Sequence, residues 1–167
     1  AREHSLLLHM VHGLLQKDRF AAAFVHTHVQ RPREAFFANL GHLLEATRTA
    51  GIRLIVATQQ ALSGAVPDEE MAGVTYAEEV ARVSAKLRRV GGLSAAEMAF
   101  LAHSGLMEEL RSWAVANNVP LVDGIATLDR NRDQLATWVH LRPRGNRLLA
   151  EAFASAIAGL ACSAQRS

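Results

Sequence analysis

The chain has 167 residues, is 50% hydrophobic and 20% charged, and carries a formal charge of +2. This is one domain's length of ordinary globular composition, able to bury roughly 70% of its unfolded surface, and so weak a positive charge gives no argument for a nucleic-acid partner. The single cysteine, Cys162, excludes an internal disulfide, and no run reaches the ~18 apolar residues of a membrane span.

Residues 5–17 predict a helix with Leu6, Leu7, Met10, Val11 and Leu14 on one side. The stretch SLLLHMVHGLL is short, is broken by His9 and His12, and lacks a small-residue cleavage pattern, so it does not read as a signal peptide. His9 and His12 stand one turn apart and could clasp a metal with a third ligand, but the intervening apolar residues favour an ordinary, partly exposed helix. Residues 18–31 read as loop. There His26 and His28 alternate as in a metal-binding strand, without an acidic or cysteine partner nearby. No metal or cofactor is expected.

Pro32 suits a first helical turn, and Phe36, Phe37, Leu40, Leu43, Leu44 and Thr47 follow at helical spacing as far as Gly51, a natural C-terminal stop. Ile52 to Thr58 (IRLIVAT) reads as a strand buried on both faces. A loop (QQALSGAVPDEE) leads to a helix over 75–90, where Val80, Val83 and Leu87 share a face. Arg88 and Arg89 suit its terminal dipole, and Gly91-Gly92 breaks it. Ser94 with Glu97 predicts a capping box opening a long helix that ends near Asn117. Val119 to Val122 predicts a second strand, and Asp123-Gly124 a loop. The last helix is predicted from about Pro143 to Leu160, with Leu148, Leu149, Ala152, Phe153, Ala156, Ile157 and Leu160 as its stripe and Cys162 in a tail beyond it.

Strands alternating with long helices indicate right-handed βαβ units and a parallel sheet between helices, in one α/β domain over 1–167. Two strands are too few for a stable open sheet. Either further strands are hidden in the sequence or they lie upstream of Ala1, which would make the domain N-terminally incomplete. An exposed sheet edge would tend to pair with another chain, so a homo-oligomer is an expectation.

In such sheets the working groups stand at the carboxyl ends of the strands. One end carries Thr58, Gln59 and Gln60; the other carries Asp123 and leads on to His140. A histidine on that edge is a candidate general base, because imidazole titrates near neutral pH. Read by itself, it is more simply a histidine satisfied at a loop–helix junction, because a single pattern is weak evidence of catalysis. Arg142, Arg144 and Arg147, with Arg130 and Arg132 upstream, crowd the start of the last helix; they are either a solvated basic turn or a place for a carboxylate or phosphate.

The segment HLRPRGNRLLAEAFASAI resembles the last conserved block of SGNH/GDSL hydrolases, D-x-x-H-L-x-P-x-G followed by an apolar helix. FFANLGHLLEATRTAGIRLIVAT looks like that family's helix and strand before the active-site edge, and VPLVDGIATL like its penultimate strand, so the likeness spans residues 35–160. It implies a flavodoxin-like three-layer α/β/α sandwich and serine-dependent hydrolysis or transfer of a small acyl or acetyl ester, without a metal. His140 matches the family's catalytic histidine. The family's aspartate position falls on Thr137, and the nearest carboxylates, Asp123 and Asp133, lack the family spacing. No Gly-Asp-Ser or Gly-x-Asn-Asp occurs, and Ala116-Asn117-Asn118 has the wrong order. The nucleophile is therefore expected upstream of Ala1, Arg142 and Arg144 are candidates for an acidic substrate, and the alternative is a non-catalytic binding or scaffold domain with the same shell.

Overall fold

The computed structural model describes residues 30–164. The expected helix 5–17 and His9, His12, His26 and His28 lie outside the described residues. Within them the fold is mixed α/β and mostly helical, with a small parallel sheet. The described chain divides into two compact units. One comprises residues 30–54 with Ser84–Gly92, the other Ile55–Val83 with residues 93–164.

In the first unit, α1 (Arg31–Thr49) has proline in its first turn and ends as its sequence predicts. Gly51 takes φ 67°, and the Ile52 N–H reaches back to the Thr47 carbonyl at 2.8 Å. That six-to-one bond with a left-handed glycine closes the last turn and satisfies a carbonyl the helix would otherwise leave open. Leu44 is the buried residue of this helix.

The second unit holds the sheet. β1 (Val56–Thr58) and β2 (Leu121–Asp123) run parallel, with Val56 opposite Leu121, Ala57 opposite Val122 and Thr58 opposite Asp123. The strand expected over 52–58 is thus cut to three residues. Its partner sets the limit: the Val56 N–H donates to the Pro120 carbonyl at 3.0 Å, but proline has no N–H to extend the ladder, and beyond Asp123 the chain turns helical. The second strand shifts from 119–122 to Leu121–Asp123, because the Val119 N–H is taken by the Ala114 carbonyl at 2.8 Å at the end of the preceding helix.

α2 (Tyr76–Val90) opens on reciprocal bonds between Thr75 and Glu78, and its first N–H donates to Asp129 at 2.6 Å. α3 (Ala95–Ala116) carries the predicted Ser94–Glu97 capping box. It supplies Phe100, Leu101, Met107, Leu110 and Ala114 to a core shared with Val56, Val122, Ile125 and Leu128. The segment after β2 is not a loop. α4 (Gly124–Leu128) starts at once, capped by the Asp123 side chain, which accepts from the Ala126 N–H at 3.0 Å. At Gly124 a Cβ would collide with the Thr58 carbonyl, so the crossing from strand to helix requires glycine there. α5 (Pro143–Ala164) runs past the predicted end, so Cys162 lies within the helical backbone rather than in a tail.

One buried polar knot ties these pieces together and corrects the reading of Arg132 as part of a solvated basic turn. Arg132 and Glu79 are both 0% exposed and form an ion pair. The guanidinium also donates to Gln60 Oε1 at 2.9 Å and to the carbonyls of Ala61, Val74 and Thr75 at 3.0, 3.3 and 3.2 Å, so all five of its N–H groups are used. Glu79 in turn accepts from the Ser63 N–H at 2.8 Å and from its hydroxyl. Gln60 passes the network on to the Ile125 carbonyl at 2.9 Å. The loop after β1 and the turn before His140 are therefore fastened to the same guanidinium.

Candidate functional site

His140 ends a tight loop on the carboxyl side of the sheet. Leu135 and Leu141 bridge in antiparallel sense, and the Ala136 N–H donates to the His140 carbonyl at 2.7 Å, which closes residues 136–140 into a turn. The turn is fastened to the end of β1 by two bonds: the Leu62 N–H to the Trp138 carbonyl at 3.0 Å, and Gln59 Nε2 to the Val139 carbonyl at 3.4 Å. The turn that carries His140 is thus held beside the end of β1 by one main-chain bond and one bond from the Gln59 side chain. Between Val139, Leu141, Leu149 and Phe153 on one side and Ala57–Gln60 on the other lies a mainly apolar cavity of about 250 Å³.

The His140 ring pairs with Thr137. Thr137 Oγ1 stands 2.7 Å from Nδ1 and also accepts the His140 main-chain N–H at 3.1 Å. With one lone pair taken by that N–H, the oxygen still has a second for an Nδ1–H, or its own proton for a bare Nδ1. Both residues are exposed, and among the described residues the hydrogen bond of the His140 ring goes to Thr137.

Neither alternative acid comes to the ring. Asp133 is exposed and accepts from Gln134 Nε2 at 2.7 Å. Asp123 is fully engaged elsewhere. It takes the Thr58 hydroxyl at 2.7 Å and a two-pronged grip from Arg111, Nε at 3.2 Å and Nη2 at 3.0 Å. Burial alone would raise the Asp123 carboxyl, but the bonds from Arg111, the Ala126 N–H and Thr58 outweigh it and hold it below the usual range. The Thr58 hydroxyl, which also accepts from the Ile125 N–H at 3.2 Å, thus locks the two strand ends together. Thr58 and Asp123 form the floor of the site rather than its reacting groups.

The basic turn is partly committed. Arg142 Nε donates to the Asp133 carbonyl at 3.2 Å and Arg144 Nη2 to Asn131 Oδ1 at 3.3 Å, while both side chains stay at the surface. No cluster of three or more histidine, cysteine or acidic residues able to hold a metal occurs among the described residues. No described helix is long and apolar enough to cross a membrane.

Sequence reading overlooked His103, on α3. Its Nδ1 is 3.0 Å from the Tyr76 hydroxyl, and its ring packs edge-on against Trp138 at 6.2 Å. Burial pushes the imidazole below its ordinary value, and pushes the Tyr76 phenol up to about 12, so both stay neutral at pH 7. The sign of the linkage follows. The unfolded chain takes up a proton near 6.5 and the folded chain only at lower pH, so the contribution of neutral His103 is complete above 6.5 and is lost as pH falls below it. We expect the urea midpoint to drop between pH 7.5 and pH 5, and to drop less in His103→Gln. Parallel losses in the two proteins would remove His103 as the cause.

Comparison of the chain with protein-family models, curated proteins and solved structures gives no match.

Proposed function

We propose that this chain carries the histidine end of an SGNH/GDSL-type serine ester hydrolase. On this reading the domain is a flavodoxin-like three-layer sandwich whose other strands, serine nucleophile and oxyanion donors come from sequence upstream of Ala1. The observation that carries the reading is the 2.7 Å contact between Thr137 Oγ1 and His140 Nδ1, at the D-x-x-H spacing, in a turn tied to the end of a parallel strand.

The chemistry follows from that contact. When Nδ1–H donates to Thr137, the Nε2 lone pair is left bare and outward. It takes the proton from a serine hydroxyl as the serine oxygen attacks an ester carbonyl, then returns it to the departing alkoxide. Water repeats the two steps and frees the acid. Threonine orients the ring but adds no negative charge to stabilise the imidazolium, so turnover is slow by comparison with a carboxylate-backed histidine. The substrate class is a small acyl or acetyl ester, and no cofactor is called for.

The test is labelling by a fluorophosphonate. The gene product extended in frame upstream of Ala1 is expected to label, His140→Ala to abolish labelling, and the 167-residue chain alone to stay unlabelled. If the extended protein does not label, or labels equally well without His140, the chain is a binding or scaffold domain.

A further inference from the structure

We propose that Trp138 and His103 form a clasp that sets the orientation of His140, which makes both of them positioning residues for the reaction proposed above. Trp138 lies between Thr137 and His140 in the closed turn, and it is 49% exposed. A half-exposed indole in a five-residue turn would ordinarily swing freely. Here its main chain and its ring are both held. The carbonyl takes the Leu62 N–H at 3.0 Å, and the ring meets His103 at 6.2 Å and 67°. Edge-to-face packing of this kind fixes direction as well as distance.

His103 is itself fixed from behind. The Tyr76 hydroxyl meets its Nδ1 at 3.0 Å; Tyr76 is 5% exposed, packs on Phe100 at 5.1 Å and lies under the Arg132 guanidinium at 5.6 Å. Three rings thus carry the rigidity of the buried ion pair out to the turn. The other ring nitrogen of His103, Nε2, is buried with no hydrogen-bond partner among the described residues. Core positions that serve only packing rarely leave a polar atom unmatched, and an apolar side chain would fill this one without that penalty. The imidazole is flat enough to pack edge-to-face with Trp138 and polar enough to be oriented by Tyr76. With the clasp closed, Thr137 and His140 are held at the spacing that their side-chain bond needs. With it open, the turn can rotate and the bond is lost to water.

The experiment is NMR on the intact chain, following the exchange rate of the His140 amide, which donates to Thr137, and the ring nitrogen shifts of His140. Trp138→Ala and His103→Ala are each expected to speed that exchange about tenfold or more and to move the ring nitrogens to free-imidazole values, while amides of α3 away from position 103 keep their protection. Trp138→Phe, which keeps a ring edge, is expected to stay within about threefold of the parent. Unchanged His140 exchange and ring shifts in both alanine variants overturn the clasp, as does equal loss in Trp138→Phe. If His103→Ala fails to fold, Trp138→Ala decides, since Trp138 is half exposed and its removal leaves the core intact. These readouts do not depend on ester turnover, so a failed fluorophosphonate test and a failed clasp are told apart.

Discussion

Arg132→Met should lower the unfolding free energy by about 3–5 kcal/mol, the largest loss expected of any single substitution outside the apolar core. The reason is what the substitution leaves behind. Glu79 is 0% exposed, and its ion pair with Arg132 is one of the few interactions that make a buried carboxylate tolerable. Methionine fills much of the volume but strands that charge and unmakes the bonds to three carbonyls and Gln60. A domain with about 5–15 kcal/mol in total has little left after such a loss. Changing both partners, Arg132→Met with Glu79→Leu, should recover a large part of it, because no buried charge then remains. Urea unfolding of the parent, the single and the double variant measures both. A single variant within about 1 kcal/mol of the parent would mean that water reaches Glu79.

Thr137→Asp should raise the rate of fluorophosphonate labelling of the upstream-extended protein by about 10³-fold or more. A carboxylate at this position accepts from Nδ1–H only, so it enforces the tautomer that leaves Nε2 as the base, whereas a hydroxyl permits either tautomer. It also places a negative charge beside the imidazolium that forms in the transition state, and loss of that charge in a well-studied serine protease triad lowers turnover about 10⁴-fold. The geometry needs no rebuilding, since the side-chain oxygen of residue 137 already stands 2.7 Å from the ring. Thr137→Val, with the shape kept and the hydroxyl removed, should slow labelling further. If aspartate brings no gain while labelling still depends on His140, some other group must already supply the charge.

How far the sequence could be read depended on whether a signal was local. The capping box at Ser94 and Glu97, the left-handed turn at Gly51 and the proline start of α5 are written within a few residues of where they act, and all three stand in the structure. The strands were legible as apolar runs, but their extents were not, because the length of a strand belongs to its partner; β1 stops where Pro120 and Gly124 bound β2. α4 went unseen because five residues show no period, although the Asp123 cap with Gly124 was a usable sign. At the site, the pairing of residues 137 and 140 was implied by the resemblance of the last block to the D-x-x-H pattern of SGNH/GDSL hydrolases. The burial of Arg132 did not, since its partner Glu79 is 53 residues away in a helix that reads as a mixed-charge surface. His103 was hidden for the same reason: it meets Trp138 only after α3 and the turn have packed.

The hydrogen bond from Thr58 to Asp123 joins residues 65 apart, and the ladder beside it is three residues long. So short a ladder cannot repay the entropy of closing so long a loop before other contacts form. The intervening α2 and α3, with their local caps, are the parts able to form early, which places strand pairing late on the folding path. Substitutions in the ladder should then act mostly on the unfolding rate, and substitutions in the caps of α2 and α3 mostly on the folding rate. The carboxyl edge, where His140 stands, would be the last part of the molecule to assemble.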